Sequence, residues 1–392
     1  MSTTVYDDLE RTLAAEGPNA AVEQLCASLR EDKDYHSLFY ALLLRKRHEL
    51  GVSPIPTGPS ADLPEGLVVP YEDGIRSAAR EIGGLFLKTG NLPQAYSYFR
   101  MIGDTAPIRA ALDALEPSEE EDVQALVQIA FFEGVHPRKG FEWALRRFGI
   151  CNAITTLGGQ ELPHSIDDKQ YCIQRLVRAL HAELRERLVG EIERHEEKRP
   201  ELADAAPDAP GILPKLMEGR DWLFADDFYH IDMSHLSSVV QMSIHLPNCP
   251  ELALVRELCS YGQHLSGKFI GAGEPPFEDQ YKAYDLYLRI LQGDNVEEAL
   301  DYFRKRAEDA TPEEVGTYPA EVLVNLLLRL ERPKEALDVA RKYLVGSDSR
   351  RLTCPGVAEL CQKVGDYRTL AETARQQGDV VHFLAGMLAA RK

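Results

Sequence analysis

The sequence is poor in the signals that announce a chemistry. Its seven cysteines (26, 151, 172, 249, 259, 354 and 361) make an odd count with no Cys-x-x-Cys spacing. That argues against a disulfide framework and against a zinc ribbon. Basic charge is scarce, 44 Lys and Arg against 63 Asp and Glu, for a formal charge of −19. The averaged field therefore repels phosphate backbones and anionic lipid, and neither nucleic acid nor a membrane is expected as a partner. The densest local exception, Arg45-Lys46-Arg47-His48, reads as the end of a helix stopping at Gly51, where cations meet the negative end of the helix dipole. Long apolar runs are missing too, and nothing approaches the roughly 18 residues of a membrane span. Met1 to Glu10 is polar and acidic rather than a basic lead into an apolar stretch, so a soluble cytoplasmic protein is expected. Strand alternation is also almost absent.

What is present is apolar residues at helical spacing along nearly the whole chain, which predicts an all-α protein. Two opening helices are separated by Gly17-Pro18, and a third runs from about Asp34 to Leu50. Residues 51–70, with five prolines and three glycines, read as an irregular connector. Helices resume at about Glu72, and Ser118 three residues ahead of Glu121 has the spacing of a capping box. Ser165-x-x-Asp168 opens a long helix to about Glu197. The Pro/Ala/Asp-rich stretch 199–214 reads as a linker and a soft boundary. The expected organisation is thus an N-terminal helical part (1–50), the connector (51–70), a helical domain (71–198), the linker (199–214) and a second helical domain (215–392).

Repetition appears in that last part. GDNVEEALDYFRK (293–305), LERPKEALDVARK (330–342) and KVGDYRTLAETAR (363–375) each place a small or acidic residue five positions ahead of Ala299, Ala336 or Leu370. An upstream copy, KTGNLPQAYSYFR (88–100), has Gly90 and Ala95 at the same offset. The intervals lie near the period of about 34 at which two antiparallel helices form one unit. A small residue lets the second helix approach the first, and Gly365-Asp366 supplies a tight turn. Thr311-Pro312-Glu313-Glu314 has the form of a helix start ahead of the stripe Leu323, Leu326, Leu327 and Leu330. These segments resemble tetratricopeptide-repeat proteins, best over 277–392, although the family's tryptophan-leucine-glycine opening is absent and the units are uneven. The resemblance implies an α-α superhelix whose concave wall takes a ligand.

Two places carry candidate chemistry. In YHIDMSHL (229–236), one continuous helix would set His230 and His235 about 140° apart, too far to share an ion. A helix starting at Asp232 or Ser234 would instead leave His230 and Asp232 on an extended lead-in, with His235 in the first turn. All three would then converge on a divalent cation such as zinc. The competing reading is structural: Asp232 or Ser234 caps the helix, and His230 packs among Trp222, Phe224, Phe228 and Tyr229. His264 would reach His235 if the two helices are antiparallel neighbours. The second place is 131–156, where Glu133 and His136 are expected on one helix face ending at His136-Pro137, with Cys151 just beyond Gly149. A Cys-His pair there competes with a plain packing role for Cys151.

Two functions of different kind follow from these expectations. One is a scaffold that binds a peptide, protein or small ligand in a groove, with cationic partners favoured by the acidic surplus. The other is a metal-dependent hydrolase or lyase using His230, Asp232 and His235.

Overall fold

The computed structural model describes residues 3–55, 63–159, 164–206, 209–269, 273–310, 315–348 and 350–391; among them it contains helices and no strand. They fall into two compact units, residues 1–149 with 159–168, and residues 150–158 with 169–392. The first holds α1 (Thr3–Glu16), α2 (Pro18–Glu31), α3 (Tyr35–Glu49), α4 (Glu65–Lys88), α5 (Leu92–Met101), α6 (Ala106–Ala114) and α7 (Gln124–Val127), the last continuing as a π-turn over Gln128–Phe132. Helix α8 (Pro137–Gly158) breaks at Gly149 (φ 77°, ψ 176°) and contributes a part to each unit, as does α9 (Ile166–Glu196). The second unit adds α10 (Ile212–Met217), α11 (Met233–Met242), α12 (Glu251–His264), α13 (Gln280–Gln292), α14 (Val296–Asp309), α15 (Tyr318–Arg329), α16 (Pro333–Tyr343), α17 (Val357–Val364), α18 (Tyr367–Gln377) and α19 (Val380–Ala389). In each unit the chain packs helix upon next helix, α1 through α6 in the first and α12 through α19 in the second.

One hinge design recurs between these helices. Just past α2, α4, α5, α13, α15, α17 and α18 a single residue turns left-handed: Lys33, Gly90, Gly103, Gly293, Glu331, Gly365 and Gly378. The following N–H then reaches back to a carbonyl of the last helical turn, as in Asn91 to Phe86 (2.9 Å), Arg332 to Leu327 (2.8 Å), Asp366 to Cys361 (3.0 Å) and Asp379 to Ala374 (2.9 Å). That is the Schellman closure, which satisfies orphan carbonyls and lets the chain reverse within two to four residues. In four of these turns the residue that closes one helix also caps the next. Asp34, Asn91, Asp366 and Asp379 accept the N–H of Ser37, Gln94, Thr369 and His382 through their side chains. The aligned positions face inward, for Ala95, Ala299 and Ala336 are wholly buried and Leu370 is 9% exposed.

The structure departs from the sequence reading at several joints. The connector is shorter than its prolines and glycines suggest: α4 already runs from Glu65 with Pro70 inside it, because its next residue, Tyr71, is fully buried beneath the guanidinium of Arg47. Arg47 itself is 2% exposed and donates to the Ser53 carbonyl (2.6 Å), so this basic cluster is partly a packing device. No helix begins at Ser118. Arg147 instead gathers the carbonyls of Ser118, Glu119 and Glu121 into a turn, and Asp122 accepts the Gln124 N–H (2.9 Å) at the start of α7. His136-Pro137 opens α8 rather than ending a helix, since the chain has already left the π-turn at Gly134 (φ 72°). The expected start at Thr311 to Glu314 lies outside the described residues.

The stretch 199–214 is held at many points. The buried guanidinium of Arg185 on α9 donates to the carbonyls of Leu202, Ala203, Ala205 and Ala206. The buried carboxylate of Glu257 on α12 accepts the N–H groups of Gly211 and Leu213 together with Nε2–H of His181 (3.2 Å). Such bonds to charged groups are the stronger kind, and they fix irregular backbone against two helices.

A candidate binding cleft

Within the second unit, α11, α13, the start of α15 and the segment 273–279 enclose a cleft of about 520 Å³. Its wall is aromatic: Phe269, Phe277, Tyr281, Tyr284 and Tyr318, joined by Met233, Ser237, Gln241 and Gln280, with Glu274 as the carboxylate in the lining. Each part has a local cause. Asp232 caps α11 by accepting the N–H of Ser234 (2.7 Å) and His235 (3.4 Å), which sets the register that aims Met233, Ser237 and Gln241 at the cleft, four apart on one helix face. The amides of Gln280 and Gln241 both donate to the Ser237 hydroxyl, at 2.6 and 3.0 Å, tying α13 to α11.

The aromatic wall is braced from behind. Phe277 is buried, stacks on Tyr284 at 4.3 Å and meets Phe303 edge-on at 6.1 Å. Tyr302 donates to the carbonyl of Pro276 (3.1 Å) and holds the segment down on α14. Two glycines are required by close approach. A Cβ on Gly273 would stand 2.0 Å from the Phe277 carbonyl oxygen, and one on Gly262 of α12 would stand 2.4 Å from the ring of Tyr281. Burial pushes the phenols of Tyr281, Tyr284 and Tyr318 up, with neighbouring phenols, Cys259 and the carboxylates of Glu321 and Glu274 adding to it. They remain neutral across the physiological range, so the wall offers ring faces and hydroxyls.

The residues that the sequence singled out are placed elsewhere. Tyr261, fully buried, accepts the backbone N–H of His230 (2.8 Å) and lies 3.1 Å from its Nδ1. The ring meets Phe228 and Phe224 edge-on at 5.1 and 6.1 Å, and burial pushes its pKa down. Asp232 is occupied as the cap, and hydrogen bonds from Ser234 hold its carboxyl low. His235 is half-buried in the first turn of α11. Among the described residues no three His, Cys, Asp or Glu side chains are grouped to hold a metal ion. Helices α11 and α12 do pack together, but His264 stacks on Phe224 at 5.1 Å and donates from Nδ1 to the Ser260 carbonyl (2.8 Å).

At the other place, Glu133 accepts from Tyr96 (3.1 Å) and pairs with Arg100 (3.3 Å), while His136 meets Asp113 at 2.5 Å. These two belong to the first unit and Cys151 to the second. Cys151 is exposed, which corrects its reading as a buried packing group; the break at Gly149 starts a new helix segment there and turns it outward. A larger hollow of about 810 Å³ beside α9 is lined by Glu183, Arg187, Glu193, Arg194 and Arg199, most of them engaged in ion pairs of their own. Comparison with protein-family models, with curated proteins and with solved structures finds no match. The cleft was missed from the sequence because its aromatics look like core residues one at a time. The signal that could have found it is their density, Phe269, Phe277, Tyr281 and Tyr284 within sixteen positions.

Proposed function

We propose that this protein is a scaffold of stacked helix pairs, similar in plan to tetratricopeptide repeats, that binds an extended peptide in the aromatic cleft between α11, α13 and α15. The observation that carries the reading is the cleft itself, a braced wall of five aromatic rings with amides and a hydroxyl between them. Rings supply contact area at low entropic cost, and interleaved amides suit a peptide backbone. Glu274 in the lining and a formal charge of −19 favour a peptide with Lys or Arg beside its apolar residues. The recurrent short hinges and the buried small positions support a repeat architecture, which presents such surfaces as a rule. No described helix is long and apolar enough to cross a membrane. The buried cysteines, their thiols pushed up by burial at Cys26, Cys259, Cys354 and Cys361, act as small packing groups, in keeping with a reducing cytoplasm.

The test is a peptide-display selection on the purified protein, followed by calorimetry with the enriched sequences. Tyr318, 37% exposed, is the ring to truncate without unfolding the wall. Enriched peptides are expected to carry a basic residue, to lose about tenfold in affinity with Tyr318→Ala and several-fold with Glu274→Lys. A selection that enriches nothing, or binders indifferent to both variants, rejects the reading.

A further inference from the structure

Three helices begin at the aromatic cleft, and their ends bear on the charge it takes. Helix α11 starts at Met233, α13 at Gln280 and α15 at Tyr318, all of them lining residues. Each N-terminus carries about half a positive charge. Each also has an acid of its own: Asp232 caps α11, Asp279 stands at the N-cap of α13, and Glu321 lies buried in the first turn of α15. Those carboxylates outweigh helix ends worth about 1.5 positive charges together, before Glu274 is added. Glu274 is exposed, among the described residues no cation pairs with it, and the lining holds no Lys, Arg or His.

The uncharged groups point the same way. The Ser237 oxygen accepts from the amide nitrogens of both Gln241 and Gln280, which leaves their carbonyl oxygens to the cleft, and among the described residues nothing donates to either. Gln280 is only 9% exposed, and an acceptor so sheltered gains most from a ligand N–H. We propose that the cleft takes the guanidinium of an arginine in the bound peptide, stacked on Tyr318 with its N–H groups directed at Glu274 and at the carbonyl oxygens of Gln241 and Gln280. This rests on the peptide reading for the chain that carries the arginine, not for the pocket itself. Arginine is favoured over lysine on two counts. A guanidinium is flat and weakly hydrated, so ring faces replace its water at little cost, whereas an ammonium is strongly hydrated and finds few acceptors among rings. Its planar fork also meets a carboxylate and amide oxygens at once, where lysine presents a point charge.

Ligand-observed NMR on the full chain, with the acetylated amides of arginine, lysine and citrulline as probes, tests this. Citrulline keeps the shape of arginine and loses its charge. Arginine amide is expected to bind with a dissociation constant on the order of 1 mM, lysine amide about fivefold and citrulline amide about tenfold more weakly. Glu274→Gln, at an exposed site, is expected to weaken arginine amide about fivefold and to leave citrulline amide and the helical circular-dichroism signal unchanged. Equal binding of the three amides, no saturation by arginine amide below about 20 mM, or an arginine affinity indifferent to Glu274→Gln overturns the proposal. Selected peptides that depend on Tyr318 but carry no arginine sink the guanidinium pocket and leave the peptide site standing. Binding of arginine amide with no peptide selected does the reverse.

Discussion

At the scale of single residues, the polar groups that matter to this fold are the buried ones that hold irregular backbone. Glu257 is the clearest case. Burial pushes its carboxyl up, but hydrogen bonds from His181, Gly211 and Leu213 pull it down by more, so that it lies below its ordinary value of 4.5. A depressed folded-state pKa means that the stabilisation is fully present above 4.5 and is lost as pH falls through the folded value. Removing the carboxylate strands two backbone donors and a buried imidazole. We expect Glu257→Ala to cost about 3 kcal/mol at pH 7 by urea unfolding, and the gap to wild type to narrow steadily below pH 4.5. A gap that stays constant down to pH 3 would show that the carboxylate is not the clasp. Nothing in residue identity or spacing marks this group. Glu257 sits in ELALVRELCSYGQH with one other acid, Glu251, and only folding brings His181, 76 positions away, to it.

At the scale of elements, the helix-to-helix hinge sets the architecture. Its left-handed residue is Gly at most copies, but Lys33 (φ 57°) and Glu331 (φ 58°) occupy the same slot in the turns after α2 and α15. A side chain there meets a steric penalty that glycine avoids, of about 1–2 kcal/mol. Both residues are exposed. Lys33→Gly and Glu331→Gly should each raise the unfolding free energy by about 0.5–1 kcal/mol, after allowing for the greater freedom of glycine in the unfolded chain. A loss of stability in either variant would mean that the turn is not the common hinge. The Gly365-Asp366 turn was legible in the sequence and Glu331 only through its place in the alignment, whereas Lys33 stood outside both and shows itself only in the backbone. The capping spacing at Ser118 misled because Arg147, 29 residues away, takes the carbonyls that the first turn of a helix there would use.

At the scale of the whole molecule, the two functional readings separate on whether side chains converge. His230 is turned into Tyr261, Asp232 into its own helix start, and the aromatic cleft lies beside them with rings in place of ligands. Added zinc is therefore expected to leave the melting temperature unchanged within about 1 °C. A rise that disappears in the His230→Ala, His235→Ala double variant would restore the metal reading. The all-helical character was decided by the sequence alone, because apolar spacing and the shortage of strand alternation act locally and need no partner. So were the breaks at Gly17-Pro18 and Gly149, the start at Ser165-x-x-Asp168 and the burial of Ala299 and Ala336. The cleft and the clasp at Glu257 were decided only by tertiary structure. Each depends on which helix lies against which, and periodicity fixes the face a helix turns inward without fixing the neighbour it meets.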